Sequence, residues 1–414
     1  MLRQLATQRF LSSLLHSSAA TGSHLCAYRS LSSAAAAPDG NSSAPVHVPV
    51  LLHETIAFWS DAKASAGKDT TRYFVDGTAG FGGHSRALLE HCANARLLCI
   101  DRDSEVLAIA KANLRDFGSR VVFQQGSYMD VSQHLAAAGF PSRVDGILVD
   151  LGANSFHFDQ PHRGFSWMHD GPLDMRFDQQ SDAPTAADVL NTHSEVQLTK
   201  IFRDFGEEKL AKEYAKAVVR DRDEKNLVFK TTQDLKECIE RIARRWQRDS
   251  SNSSQRGAAK KKSKAGKDPA GKAGKTTTHP ATRCFQALRI YVNEELQHVE
   301  DGIHQLVSHL APGGRLVTIA FHSLEDRPIK TLFRKLDKQG RIDEDEDDEF
   351  ASVYEVDEEY DDDDDEESFE SDDDEAAEKK RFRLAKRKAT KPTREEMTVN
   401  PRSRSARLRC LERI

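Results

Sequence analysis

The chain has 414 residues, 38% hydrophobic and 30% charged, which is enough for one large or two modest folded domains. No apolar run reaches the ~20 residues that a membrane-spanning helix needs, so a membrane protein and a membrane partner are excluded. Six cysteines are scattered without a Cys-x-x-Cys pair, a pattern typical of free thiols in a reducing compartment.

The net charge of −6 combines two parts of opposite sign. Residues 343–378 hold 24 acidic side chains among 36 and neither Lys nor Arg, so the remainder of the chain carries +18. A basic body favours a polyanionic partner such as nucleic acid. The acidic tract is typical of a disordered, self-repelling segment. The alternative, that it mimics RNA and competes for the basic surface, stays open.

Residues 1–45 have the composition of a targeting segment. They contain three arginines, no acid before Asp39, and abundant Ser and Ala. Leu2, Leu5 and Arg9 begin a helix with an apolar and a basic face, which is the pattern of mitochondrial transit peptides. We therefore expect residues 1–45 to be a transit peptide, disordered in isolation, and the protein to act in the mitochondrial matrix, with a plastid as the alternative.

Four apolar segments alternate with helical segments over residues 46–180. The first ends at Asp76, the second covers 95–100, the third begins RVVFQQ, and the fourth ends at Asp150. Helices are predicted after the first two, where apolar residues recur at helical spacing. Such alternation predicts an α/β fold with a parallel, doubly wound sheet.

The alternation stops near residue 156. Residues 156–182 are predicted to form a loop, and helical spacing over most of 181–249 predicts an inserted helical domain that recognises the substrate. Residues 250–278 contain eight basic residues and one acid in a low-complexity stretch, which predicts a disordered basic loop.

The sheet pattern resumes over 279–337, which we predict to be the second part of the same domain. It begins with one long amphipathic helix, 283–310, followed by a strand and another helix. Residues 338–390 are assigned to the acidic low-complexity insert. Residues 391–414 are expected to close the sheet with a final edge strand at 405–413.

The first strand runs into a glycine-rich turn, FVDGTAGFGGHS at 74–85. Backbone amides and the positive end of the following helix suit a ligand there. The glycine spacing fits the dinucleotide fingerprint G-x-G-x-x-G only loosely, and Asp76 suits a cationic amine better than a pyrophosphate. Asp101 is placed to accept the ribose hydroxyls of an adenosine and Tyr128 to pack near an adenine. NAD and S-adenosylmethionine both stay open at this point.

The fourth strand favours methylation of an amine. Asp150 and the small polar residues after it lie at the carboxyl edge, where open α/β sheets bind ligands. The lone pair of a base amine is delocalised into its ring, so hydrogen-bond acceptors are needed to align it with a methyl donor. Asp150, Asn154 and Ser155 are the candidate acceptors; an ordinary strand-end turn is the alternative.

Basic and aromatic residues near this edge are RNA-binding candidates, because aromatic rings stack on unpaired bases and Arg binds phosphates. They are Arg163, Phe165, Arg176, Arg402 and Arg404. For those in the loop, packing of the loop on its own aromatics is the alternative. Three histidines lie among carboxylates at 157–178, yet their spacing matches no zinc pattern, so no metal is predicted.

Eight motifs together resemble a known family: HVPVLLHE, DGTAGFGGHS, IDRD, DGILVDLG, RGFSWMHDGPLDMRFD, HPATRCFQALRIYVNEEL, LAPGGRLVTIAFHSLEDRPIK and NPRSRSARLR. In this order, over roughly 47–335 and 391–414, they resemble the MraW (RsmH) methyltransferases. Members of that family use S-adenosylmethionine to methylate the exocyclic N4 amine of a cytidine in small-subunit rRNA. Residues 1–45, the basic loop and the acidic tract lie outside the resemblance.

The resemblance implies a class I (Rossmann-like) methyltransferase sheet, S-adenosylmethionine as cofactor, and small-subunit rRNA or the assembling small subunit as partner. Matched motif by motif, it implies cofactor contacts at Gly82, Gly83, His84, Asp101, Tyr128, Asp150 and His157. The family usually has Gln where His157 stands, and Val-Ser-Ser where residues 153–155 are Ala-Asn-Ser. Two alternatives stay open: a catalytically weak RNA-binding assembly factor, and a methyltransferase for another amine.

Overall fold

The computed structural model describes residues 49–61, 70–258, 279–339 and 381–414. All of them belong to the unit His47–Ile414. The transit-peptide prediction for 1–45, the basic loop after residue 258 and the acidic tract 343–378 lie outside the described residues. Within those ranges no helix is long and apolar enough to cross a membrane, and the five cysteines are buried free thiols.

A single sheet of seven strands organises the described chain. The strands are β1 Arg72–Asp76, β2 Ala95–Asp101, β3 Val121–Gln125, β4 Val144–Asp150, β5 Leu310–Ala320, β6 Phe382–Leu384 and β7 Arg407–Arg413. Their order is β3-β2-β1-β4-β5-β7-β6. The first five in this order are parallel, and β7 is antiparallel to both neighbours. The predicted α/β class I methyltransferase sheet is confirmed.

Helices connect the parallel strands and form the inserted layer. Their bounds are α1 Leu52–Ser60, α2 Gly83–His91, α3 Ser104–Asn113, α4 Val131–Ala137, α5 Ser155–Asp159, α6 Ala186–Thr192, α7 Glu195–Asp204, α8 Ala211–Lys225, α9 Thr232–Ala258, α10 Ala281–Val292, α11 Glu295–Ser308, α12 Ser323–Gln339 and α13 Arg394–Val399. Helices α6 to α10 share a hydrophobic core of their own, to which Phe202, Tyr214 and Leu288 contribute.

The central strands are buried on both faces. Ile147, Leu148 and Val149 of β4 are each fully inaccessible to solvent, as expected of a parallel strand covered by helices on two sides. One face packs against α4, α11 and α12, and the other against α1, α2 and α3. This double layer fixes the strand ends that carry the site.

The register of β1 with its neighbours sets the shape of the carboxyl edge. Asp76 is level with Cys99 of β2 and Leu148 of β4. Asp101 and Asp150 therefore each stand two residues beyond Asp76, one on either side of the loop that follows β1. Sequence patterns identified these three strand ends, and the register brings them together.

The predicted long helix 283–310 is wrong in one respect. It is two helices, α10 and α11, separated at Asn293 and Glu294. Glu294 has φ +52°, and the side chain of Asn293 accepts a hydrogen bond from the Phe177 N–H and donates one to the Met175 carbonyl. The break thus ties the helical layer to the loop that follows β4.

Three other boundaries differ from those expected. The predicted edge strand is internal, because β6 pairs with the outer side of β7. Strand β6 lies inside the range assigned to the acidic insert, so that insert does not extend to residue 390. Helix α9 continues to Ala258, nine residues into the range assigned to the disordered basic loop. Polar low-complexity sequence carries too little apolar periodicity to show such continuations.

Candidate active site

Asp76 organises the glycine-rich loop from inside. Its carboxylate is almost fully buried and accepts hydrogen bonds from the Ser85 hydroxyl at 2.6 Å and the Thr78 N–H at 3.3 Å. Burial raises the pKa of Asp76 to about 7. Because this carboxylate is almost fully buried, Asp76 presents no exposed oxygen to a cationic amine in this structure.

The two glycines at the start of α2 are required by packing. Gly82 is the N-cap with φ +79°, and a Cβ there would lie 2.9 Å from Leu114 Cδ1. A Cβ on Gly83 would lie 2.4 Å from Pro49 Cγ. The sequence predicts that this loop binds a ligand. The structure adds that Leu114 and Pro49 occupy the space that side chains at positions 82 and 83 would need.

We expect Gly82→Ala to lower the free energy of unfolding by about 1–3 kcal/mol, because it forces alanine into the left-handed region and against Leu114. Urea denaturation of both chains measures the loss. Gly139→Ala is the matched control, since Gly139 also has a positive φ, +65°, but nothing within 4 Å of a Cβ. A Gly82 variant no less stable than this control would contradict the packing explanation.

Asp101 presents a half-buried carboxylate at the end of β2. One oxygen accepts from the Gly80 N–H at 2.8 Å and the other from the Asp103 N–H at 2.9 Å. Burial raises the pKa of Asp101 to about 6. Each oxygen keeps a second lone pair, so the group retains the capacity to accept the two hydroxyls of a ribose.

Asp150 is the last residue of β4, and one of its carboxylate oxygens is uncompensated, meaning that it receives no hydrogen bond in the described structure. Oδ1 is shielded from solvent and has no hydrogen-bond partner within the described ranges. Oδ2 lies 3.8 Å from His84 Nδ1, and His84 Nε2 lies 3.0 Å from the Val50 carbonyl. Burial, followed by the negative charge of Asp76, raises the pKa of Asp150 well above its ordinary value. A buried carboxylate oxygen without a donor is costly, so it fits a ligand that brings a donor or a positive charge.

Tyr128 is buried beneath this edge. A Cβ on Gly302 of α11 would lie only 2.3 Å from Tyr128 Cε2, and a Cβ on Gly77 would lie 3.1 Å from Tyr128 Cβ. The ring therefore packs between the glycine-rich loop and α11. Its predicted place near an adenine stays a prediction.

His157 is a structural residue of the loop after β4. Its Nε2 lies 2.9 Å from Asp103 Oδ2, and its Nδ1 accepts the Asn154 N–H at 3.2 Å. This network assigns the proton to Nε2, and burial lowers the pKa of His157. Both ring nitrogens are thus used within the protein, and the predicted contact between His157 and the cofactor stays a prediction. Asn154 caps α5 through its side chain; half-buried Ser155 follows it.

Arg163 and Phe165 are buried, so the prediction that they bind RNA is wrong for this structure. Arg163 is 1% exposed; it donates to Asp103 Oδ2 at 2.6 Å and to the Arg176 and Phe177 carbonyls at 3.0 Å. Phe165 is stacked on His157 with ring centroids 4.9 Å apart. The loop packs on its own aromatics, as the alternative held.

Arg176 and Arg402 differ in how accessible their guanidinium groups are to an RNA ligand. Arg176 is half-buried and its guanidinium binds Asp174 through Nε at 2.8 Å and Nη2 at 3.0 Å, so it holds the loop. Arg402 is exposed and contacts Asp159 of α5 at 3.0 Å. Arg404 is also exposed. Of the RNA-binding candidates, only Arg402 and Arg404 are exposed.

Glu325 lies at the carboxyl edge of the sheet and was not predicted as a site residue from the sequence. It is 1% exposed, accepts from the Phe321 N–H at 2.8 Å and lies 3.0 Å from His322 Nε2. A Cβ on Gly152 would lie 3.3 Å from Glu325 Oε1, which places this carboxylate beside the chain leaving Asp150. Burial opposes its ionisation, yet His322 holds the pKa of Glu325 below its ordinary value. The FHSLEDR motif follows β5, so the strand-end rule could have identified it.

A family model described as the MraW methylase family matches residues 44–346. The chain belongs to the MraW methylase family. S-adenosylmethionine is its cofactor, and the open lone pairs of Asp101 fit the hydroxyls of its ribose. Among the described residues no group of His, Cys, Asp and Glu could hold a metal ion.

Relatives within the family match over most of their length. One from Carboxydothermus hydrogenoformans, named Ribosomal RNA small subunit methyltransferase H, is 36% identical over 89% of this chain and 98% of its own. A relative of the same name from Leptospira biflexa is 41% identical over 71% of this chain and 84% of its own. A solved chain from Clostridium thermocellum covers 88% of this chain and 95% of that one at 9% identity, with a TM-score of 0.33, a likeness too low to support an inference.

Proposed function

We propose that this methylase transfers a methyl group from S-adenosylmethionine to the exocyclic N4 amine of a cytidine in small-subunit rRNA, in the mitochondrial matrix. The observation that carries the proposal is the uncompensated carboxylate oxygen of Asp150 at the end of β4. The names of the relatives, Ribosomal RNA small subunit methyltransferase H, support the substrate class.

The chain's own residues supply alignment and proton transfer. The bound cofactor provides a methyl group made electrophilic by its positive sulfur. Asp150 Oδ1 accepts a hydrogen from the base amine, which turns the nitrogen lone pair out of conjugation and directs it for attack. The methylated nitrogen must then lose a proton. Because its pKa is raised by burial, Asp150 is suited to take that proton.

Water exclusion comes from aromatic side chains at the mouth of the site. Phe81 of the glycine-rich loop and Phe156 of α5 meet edge to face with centroids 5.8 Å apart. They join the loop after β1 to the loop after β4, the two segments that flank Asp150. A drier site strengthens the hydrogen bond that the carboxylate offers to the amine.

We expect cofactor affinity to fall by about tenfold as pH drops from 8 to 5. Asp101 accepts hydroxyls best when ionised, and its pKa of about 6 means that protonation occurs inside this range. Affinity is therefore complete above pH 7 and is lost as pH falls through 6. Calorimetric titrations across the range measure it. Asp101→Asn should bind more weakly at pH 8 with a flatter pH profile; a profile as steep as that of the wild type would contradict the assignment.

The test of the proposed reaction is direct. Purified protein is incubated with labelled S-adenosylmethionine and unmethylated small-subunit rRNA or small subunits, and the modified nucleoside is identified by mass spectrometry. N4-methylated cytidine at one position supports the proposal. Cofactor binding without transfer would favour the RNA-binding assembly factor, and a label on another nucleoside or on protein would favour a different amine.

The matrix location rests on the basic, acid-free segment before residue 39. Fusing residues 1–45 to a fluorescent protein tests it. Mitochondrial import and cleavage of the fusion are expected, and Arg3→Glu with Arg9→Glu should abolish import. Accumulation in plastids would overturn the mitochondrial assignment.

A further inference from the structure

A strongly basic surface lies between β6 and β7. Residues 386–394 contain five basic residues and no acid, and all five side chains are exposed. We call four of them, Lys386, Arg387, Lys391 and Arg394, the C-terminal ridge. None of the site residues described above belongs to it.

The backbone of the ridge is fixed to the sheet. The Ala385 N–H donates to the Cys410 carbonyl at 3.0 Å, and Thr390 and Leu408 exchange two hydrogen bonds of 2.9 Å. Thr393 then caps α13 by accepting the Glu396 N–H. The basic side chains therefore project from a backbone that is already ordered, which lowers the entropy lost when they bind a ligand.

The ridge reaches the active edge. Glu396 of α13 accepts the Leu51 N–H at 2.7 Å, and the neighbouring Val50 carbonyl contacts His84, which stands beside Asp150. Beyond α13 the chain continues to Arg402, which binds Asp159 of α5. A ligand lying along the ridge thus leads to the opening of the site.

The ridge cations have no acidic partners in the described part of the chain. Arg387, Lys391 and Arg394 make no ion pair there, and Lys386 Nζ contacts only the Thr390 hydroxyl at 3.3 Å. By contrast, the guanidinium groups of Arg163 and Arg176 form ion pairs with Asp103 and Asp174, respectively. Exposed, unneutralised cations on an ordered backbone match a phosphate backbone.

We propose that the C-terminal ridge binds the phosphate backbone of the RNA strand that carries the target base into the active site. This inference rests on the proposed function, because it assumes an RNA substrate. RNA binding is thereby assigned to the segment between β6 and β7, whereas the buried residues of the loop after β4 hold the structure of the site.

The test compares two quadruple variants of the full chain. The ridge variant is K386Q/R387Q/K391Q/R394Q. The control, K111Q/R115Q/R143Q/R334Q, removes the same charge from exposed basic residues that lie outside both the ridge and the helical layer. Binding to unmethylated small-subunit rRNA is measured against salt concentration. The ridge variant should bind roughly 10- to 100-fold more weakly near 0.1 M salt, with a slope of log affinity against log salt that is smaller by about 2–3.

The control should change affinity by less than about threefold, and cofactor affinity and thermal midpoint should match the wild type in both variants. Wild-type affinity and slope in the ridge variant, or an equal loss in the control, would contradict the proposed RNA-binding role of the ridge. Neither result would bear on the methylation proposal. If the ridge is required for RNA binding but the wild type transfers no methyl group, the RNA-binding role of the ridge is supported and the methylation proposal fails.

Discussion

Asp150→Asn is expected to lower kcat for methyl transfer by about 100- to 1,000-fold. The substitution keeps the size of the side chain but removes both the negative charge and the capacity to take a proton. It acts on the one oxygen at this edge that is buried without a partner in the described structure. Single-turnover transfer to rRNA, with cofactor affinity measured separately, isolates the effect on the reaction.

Asp116→Asn is the matched control for this prediction. Asp116 is 70% exposed in its side chain and lies in the turn before β3, so its loss of charge should leave kcat within about twofold. Should Asp150→Asn retain more than about half of wild-type kcat, Asp150 would not align the amine. The candidate acceptors Asn154 and Ser155 would then have to be tested in its place.

Arg163→Met is expected to destabilise the chain by about 3–5 kcal/mol. Methionine occupies similar space, but Asp103 is then a buried carboxylate without its cation, and the Arg176 and Phe177 carbonyls lose a donor. The change in the free energy of unfolding is read from urea denaturation followed by circular dichroism.

Arg404→Met serves as the control, because Arg404 is exposed and should cost less than about 0.5 kcal/mol. A wild-type unfolding curve for Arg163→Met, combined with weaker RNA binding, would restore the original assignment of Arg163 to the RNA surface. A large loss of stability would support its role in joining the loop after β4 to the start of α3.

The sheet was predictable because its signals are local. Apolar runs that end in Asp76, Asp101 and Asp150 identify strand ends from the chain alone, and parallel strands place those ends at one edge. The register that sets Asp101 and Asp150 two residues beyond Asp76 needed the paired strands. The same edge rule, applied to β5, would have found Glu325.

Burial of polar side chains was not predictable from local sequence. Arg163 follows a loop pattern that is equally compatible with solvent, and its partner Asp103 lies 60 positions away. His157 has the same partner, so its role depends on the same distant contact. The break between α10 and α11 depends on Asn293 bonding the loop at Met175 and Phe177, while the apolar spacing continues through it.

The most direct measurement is the methylation state of small-subunit rRNA in cells that lack the protein. Mass spectrometry of mitochondrial rRNA should show one N4-methylated cytidine that disappears on deletion. The mark should return with the wild-type chain and stay absent with Asp150→Asn expressed at the same level. A mark that persists after deletion, or that Asp150→Asn restores in full, would contradict the account.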